Sequence, residues 1–200
     1  MSAVEPIRDL KTIRKIRLIL RGQSKRNELL FVLGINVGLR ISDILRLKVK
    51  DIVTPYGKIR DYVIVKEKKT KKIKRFYLGK VVKQTIKEYL DEYQPDPEMY
   101  VFKSRKGKNR PISRQQAYRI INYAAEMAGL VERDESGQIV SGEIGTHTLR
   151  KTFGYHAYKN GADTDLLQEI FNHSSNKTTL RYIGITEEQK KEVYLSSNLG

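Results

Sequence analysis

The sequence predicts an α+β domain, mostly helical, with a small three-stranded antiparallel sheet. Three observations lead there. Apolar residues recur at helical spacing along most of the chain. Between residues 49 and 78 the pattern changes to β-rich runs parted by turns or charged segments. The 200 residues, 39% hydrophobic and 31% charged, suit one packed core, being too apolar for disorder and too polar for a membrane protein.

From Asp9 to Arg21, Leu10, Ile13, Ile16, Ile19 and Leu20 recur among cations, which reads as an amphipathic basic helix. Residues 1–23 are therefore expected to be a basic N-terminal helix or arm. Residues 28–38 are apolar nearly all round and should form a buried helix ending at Gly38. A short helix over Ile41 to Leu47 should be opened by Ser42 or Asp43. The three strands are expected at 49–53, 62–65 and 73–78, with the lysine-dense turn 66–72 between the second and third. Helices resume over Val81 to Tyr93 and from Ser113, whose pairing with Gln116 makes a capping box, up to Gly129. Residues 131–145 are acidic and aperiodic, hence a loop or loose hairpin. Thr146 should N-cap a helix running to Asn160-Gly161. Two short helices follow at about 164–171 and 176–183, and Thr186 with Gln189 opens a last one, so that 24–185 form the main domain and 186–200 a tail helix.

No window approaches 18 consecutive apolar residues, and the first six residues lack the apolar stretch of a secretory leader. Zero cysteines exclude a disulfide framework, a thiolate nucleophile and a cysteine-based zinc site, and three histidines leave little for other metal cages. A reducing, cytoplasmic setting is expected, with no cofactor and no membrane partner. Charge is more telling: 39 Lys+Arg against 23 Asp+Glu leave +16, which points to a polyanion. Lys66, Lys68, Lys69, Lys71, Lys72, Lys74 and Arg75 face a single anion, Glu67. Lys103, Arg105, Lys106, Lys108 and Arg110 face none. One such run reads equally well as a solvated loop; two in a short, strongly basic chain point to phosphate-backbone contact.

Several chemistries are missing from the sequence. It holds no phosphate-binding Gly-x-x-x-x-Gly-Lys-Ser/Thr loop, no Gly-x-Ser-x-Gly elbow, no His-Glu-x-x-His and no local carboxylate cluster for two metals. A metal-free phosphoryl transfer must meet charge on the non-bridging oxygens with fixed cations, and arginine's planar fork suits that best. Arg40 lies in an apolar neighbourhood beside a glycine turn, and Arg150 follows His147 by three residues, on one helical face. His173 follows Ile170 and Phe171, and Tyr182 comes nine residues later.

Taken in order, Gly38-Leu-Arg-Ile-Ser-Asp-Ile-Leu45, His147-Thr-Leu-Arg150 and Asn172-His-Ser-Ser-Asn-Lys-Thr-Thr-Leu-Arg-Tyr182 resemble the catalytic domain of the tyrosine recombinases, the phage integrase family. The similarity spans residues 24 to 184. It implies a site-specific recombinase acting on double-stranded DNA and self-associating, as a tetramer, on its target. Arg40 and Arg150 would grip the scissile phosphate, against the plainer reading of a buried ion pair with Asp43. His147 would carry a proton, and His173 would donate to a non-bridging oxygen. Tyr182 would attack to give a 3′-phosphotyrosyl link, and its phenol, with an ordinary pKa of about 10, needs neighbouring cations and a base to do so.

The resemblance also implies a general-acid lysine in the 66–72 turn, best matched by Lys69, with Lys71 as the alternative. The other lysines there would contact phosphates, and the tail would dock on a neighbouring protomer. His156 lies outside these motifs and reads as structural. Relatives near three hundred residues carry an N-terminal clamp domain, so the chain reads either as a minimal recombinase whose basic 8–26 helix shares that work or as part of a longer protein. A DNA-binding regulator of the same fold and a type IB topoisomerase-like enzyme are the competing functions.

Overall fold

Asp9 starts the first helix, α1 (Leu10–Gln23), by accepting the Lys11 and Thr12 N–H groups at 3.1 and 2.8 Å, a cap worth about 1 kcal/mol. The computed structural model describes residues 4–142 and 144–196, without the side chains of 186–188, 190 and 193. Ile16 and Leu20 of α1 are fully buried against α2 (Lys25–Asn36). Ser24 separates the two helices and caps the second by accepting from Asn27 N–H. Leu29, Leu30, Phe31 and Leu33 expose nothing, because α2 is enclosed by α1, α5 (Lys80–Tyr93) and α7 (Thr146–Lys159). Its one buried charge, Glu28, is met by Arg17 at 2.8 Å, as a buried carboxylate requires.

The segment after α2 departs from expectation in two places. Neither Ser42 nor Asp43 opens α3 (Ile41–Ile44): Arg40 occupies the N-cap position without a side-chain bond, and the Asp43 carboxylate accepts the distant Lys68 N–H at 2.9 Å. The first expected strand is instead a helical turn, α4 (Val49–Ile52), in which Asp51 accepts the Lys48 N–H at 2.8 Å. Val49 and Ile52, three apart, are buried together by a turn as well as alternation would bury them. Val53 pairs only with Ile59, through an isolated bridge, so the sheet has two strands, β1 (Tyr62–Lys66) and β2 (Ile73–Tyr77), antiparallel with Val63 opposite Phe76.

Ser113 caps α6 (Arg114–Met127) through the Gln116 N–H. The acidic stretch beyond it forms a small hairpin of β3 (Glu132–Arg133) and β4 (Ile139–Ser141). Gly145, not Thr146, is the N-cap of α7, and Thr148 Oγ1 accepts the Gly145 N–H at 3.1 Å. The helices α8 (Thr164–Phe171), α9 (Asn176–Tyr182) and α10 (Ile185–Ser196) complete the described chain. The Thr186 and Val193 side chains expected to open and line α10 lie outside the described residues. Within α10, Gln189 donates to Tyr158 Oη at 2.7 Å and Glu192 pairs with Lys159, while Tyr194 and Leu195 stand exposed. His156 accepts its structural part, its Nε2 lying 2.9 Å from the Ile7 carbonyl. Among the described residues no helix is long and apolar enough to cross a membrane.

Two hydrophobic clusters result. The main one is built from α1 to α6 and includes Leu149 of α7; a smaller one gathers Tyr155, Leu167, Phe171, Ile183 and Ile185. The helix α7 belongs to both. Gly154 is where α7 admits the smaller cluster, since a Cβ there would lie 2.6 Å from both Ile183 and Phe171. Gly38 turns the chain from α2 into α3 at φ +62°, and a Cβ would meet the Phe153 ring at 2.7 Å.

Gly38→Ala should therefore destabilise the fold by at least about 1–3 kcal/mol from backbone strain, with the Phe153 overlap adding to it. Gly22→Ala, in α1 with nothing within 4 Å of the new methyl, should instead stabilise by about 0.5–1 kcal/mol. Urea unfolding of the two variants checks the opposite signs.

Candidate active site

Arg150 is buried at 3% exposure, one turn into α7. Its guanidinium donates to the Gly38 carbonyl at 2.5 Å and to the Phe171 carbonyl at 2.8 Å, and lies 4.6 Å from the Phe171 ring centre. Two of its five donors are thus spent on fixing its place, and the plane is held between the two hydrophobic clusters. Burial lowers its pKa, with the Tyr182 hydroxyl opposing and the Arg40 charge adding. Arg40 reaches the same cleft from the turn after Gly38. The carboxylate it pairs with is Glu67, 3.0 Å away and buried, and not the Asp43 of the plainer ion-pair reading.

A cleft of about 470 Å³ is lined by Arg40, Ser42, Lys68, Lys69, Arg114, His147 and Arg150, with Ile41 and Thr146. His147 stands at its solvent edge, and its Nδ1 lies 3.5 Å from the Tyr182 hydroxyl. The ring of Tyr182 packs edge-on against His173, with centres 5.0 Å apart, and against Phe171. His173 Nδ1 is 3.1 Å from Thr179 Oγ1, so Nε2 is the nitrogen left for a ligand. Burial raises the Tyr182 pKa against the pull of Arg150 and Arg40, leaving a neutral phenol. Burial lowers that of His147, aided by Arg150 and Lys151, and pushes His173 down to about 4 with Arg150, Arg40 and Lys74 adding.

The six candidate catalytic residues thus come from separate stretches of chain and converge: Arg40 and Lys69 with His147 and Arg150 in the cleft, Tyr182 on His147, His173 on Tyr182. The basic runs divide. Lys68, Lys69 and Lys71 sit exposed on the turn, and Lys72 donates to Asn172 Oδ1 at 2.6 Å. Lys66 and Arg75 project from the outer sheet face, where Arg75 stacks 4.5 Å over Tyr62. Lys74 departs from the surface role expected of it. It turns inward, donates to the Ile170 carbonyl, and is pushed down to about 8 by burial and by Arg150.

Lys103, Arg105, Lys106, Lys108 and Arg110 form a separate loop, closed by the Lys103–Pro111 bridge and tied to α2 where Arg26 donates to the Lys103 carbonyl. Arg105, Lys106 and Arg110 line a groove of about 960 Å³ together with Arg26, Gln116 and Arg119. Arg26 on α2 and Arg114 and Arg119 on α6 lie outside both cation-dense runs, so nothing in the local sequence marks them for the groove or the cleft. Sequence reasoning also passed over Glu67 and Asp43 as site residues, although Glu67 is the one anion in the lysine run.

The chain matches the model of the phage integrase family over residues 9–189. It is 44% identical to the probable integrase/recombinase YoeC of Bacillus subtilis, covering 97% of each chain. It is 31% identical to the tyrosine recombinase XerD of Corynebacterium glutamicum, over 84% of this chain and 51% of that one. The match to XerA of Thermococcus onnurineus is 26%, over 94% and 61%. In fold it resembles the crystal structure of XerA recombinase, with a TM-score of 0.71 at 18% identity over 100% of this chain and 66% of that one. XerH bound to its difH substrate gives 0.67 at 22% identity, over 93% and 51%. The chain belongs to the phage integrase family, and so to the tyrosine-type site-specific DNA recombinases. It spans nearly the whole of the Bacillus relative but only half to two-thirds of these Xer recombinases.

The histidine shift gives a pH signature. With a folded pKa of about 4 against about 6.5 unfolded, the unfolded chain takes up the His173 proton first. Stability from neutral His173 is then complete above the unfolded value and is lost as pH falls through the folded one. Carboxylates such as Glu67 and Glu88, held below their usual range, lose stability toward the acid end as well. His173→Gln should therefore flatten, without abolishing, the fall in Tm on acidification; parallel curves would place His173 in solvent-like surroundings.

Proposed function

We propose that this chain cuts and rejoins double-stranded DNA at a specific site through a covalent 3′-phosphotyrosyl link at Tyr182, without a metal. The observation that carries the reading is the convergence of Arg40, His147, Arg150, His173 and Tyr182 around one cleft. Arg40 and the unspent donors of Arg150 would take the non-bridging oxygens of the scissile phosphate, with His173 Nε2 beside them. The Tyr182 oxygen attacks phosphorus and forms the new P–O bond. Its proton passes to His147 Nδ1, which is neutral and within reach. The bond to the 5′-oxygen breaks, and Lys69 supplies the proton that this oxygen needs to leave. Rejoining runs the same steps backwards.

The groove lined by Arg105, Lys106 and Arg110 extends the basic surface beyond the cleft and would follow the phosphate backbone. Residues 24–185 are assigned as the catalytic domain, with 1–23 as a basic N-terminal helix or arm that adds duplex contacts. The tail is assigned to contact between protomers in a synapse: α10 docks in cis through Gln189 and Glu192, yet leaves Tyr194 and Leu195 uncovered.

Incubation with a nicked duplex carrying the target site, in EDTA, should give a covalent protein–DNA band. Tyr182→Phe should give none while still shifting the duplex in a gel. A band that persists in Tyr182→Phe, or one that needs Mg²⁺, overturns the mechanism.

Lys69→Ala should slow cleavage about a hundredfold or more on an ordinary substrate. It should recover when the bridging 5′-oxygen is replaced by sulfur, because a thiolate leaves without a proton. Rescue of Lys71→Ala and not Lys69→Ala would move the general acid to Lys71.

A further inference from the structure

The ladder between β1 and β2 ends at the Lys66–Ile73 pair, and beyond it four lysines crowd into six residues. Mutual repulsion favours splaying such a turn apart. Glu67 is the one carboxylate between Asp61 and Glu88, and it is buried at 2% exposure beneath the turn. Its Oε1 pairs with Arg40 at 3.0 Å and lies 3.9 Å from Lys74 Nζ; its Oε2 accepts from Thr70 Oγ1 at 2.5 Å. Its backbone closes the same loop, the N–H donating to the Lys72 carbonyl at 2.9 Å and the carbonyl accepting from Lys71 N–H at 3.0 Å, with Lys71 left-handed at φ +61°. One residue thus touches the arginine of the cleft, the strand beneath it and both sides of the turn that carries Lys69.

A buried ion pair contributes little to net stability, and its better-attested use is to select one arrangement among several. We propose that Glu67 is a positioning residue for strand cleavage: it sets the Arg40 guanidinium and holds the 66–72 turn so that the Lys69 ammonium stays at the cleft. The inference rests on the recombinase reading for its link to chemistry, but the locking of the turn does not. Glu67 does not itself line the cleft, and it spends only one arm of the Arg40 fork, so the rest remains open to a phosphate.

Two measurements on the full chain test it. Without DNA, hydrogen exchange at the Lys68 and Lys71 amides should rise about tenfold or more in Glu67→Gln and less, in the same direction, in Thr70→Val, which leaves the buried charge in place. With DNA, Glu67→Gln should keep duplex affinity within about threefold and form the covalent adduct about tenfold to a hundredfold more slowly. The sulfur-bridged substrate should restore most of that loss. Unchanged exchange, or wild-type cleavage of the ordinary substrate, overturns the proposal. An equal loss on both substrates overturns the link to Lys69. Should Glu67→Gln lose its cooperative melt, Thr70→Val and Glu67→Asp decide by the same two readings. A wild-type chain that forms no adduct would sink the recombinase reading, and the exchange measurement would still judge the locked turn.

Discussion

Everything in the cleft depends on holding like charges together before any phosphate arrives. Arg150 and Arg40 lie close enough to Lys74 to help burial lower its pKa, Arg40 does the same to Arg150, and burial denies these charges most of the screening that water gives at a surface. The chain meets this with backbone. Carbonyls of Gly38 and Phe171 take the Arg150 guanidinium, and that of Ile170 takes Lys74. Carbonyl dipoles stabilise cations without neutralising them, so the excess positive charge survives at the place where an anion would bind. A site neutralised by carboxylates alone would be easier to fold and would have less to offer a phosphate.

The geometry of α2, α3 and α7 follows from that need. Gly38 adopts a left-handed turn, its carbonyl accepts from Arg150, and the chain leaves that turn through Arg40, which lines the same cleft. The hairpin of β1 and β2 is fastened on both sides of its turn: to α3 through Asp43 and Lys68, and to the end of α8 through Lys72 with Asn172 and Lys74 with Ile170. The lysine turn therefore bridges the segment bearing Arg40 and the segment leading to His173.

Most helices were legible in the sequence because their cause is local. Asp9, Ser24 and Ser113 each cap the helix that follows them, and the apolar spacing of α1, α5 and α6 matches what those helices bury. Residues 49–53 misled because Val49, Ile52 and Val53 suit a helical turn and a strand alike, and the choice was made by Asp51 reaching back to the Lys48 N–H. The gathering of Arg40, His147, Arg150, His173 and Tyr182 was legible only through motif resemblance, since no local rule joins residues more than a hundred positions apart. Glu67 as the partner of Arg40 had a faint signal, a lone anion among cations. The inward turn of Lys74 had only its position, since strand alternation sets it beside Phe76 on the inner face while composition places it with its exposed neighbours.

The division of the interior into two unequal clusters assigns different tasks to different parts. Arg40 sits between Leu39 and Ile41 of the larger cluster and Arg150 is held between the two, while Tyr182 rides on the smaller, whose few buried side chains make it the cheaper region to loosen. On the function proposed above, a DNA strand joined to Tyr182 would hang from the compliant part of the molecule, while Arg40 stays with the larger core. Thermal motion in such a body would move that cargo before it disturbed Arg40, and a cut end would shift toward a new partner while the larger core stays folded.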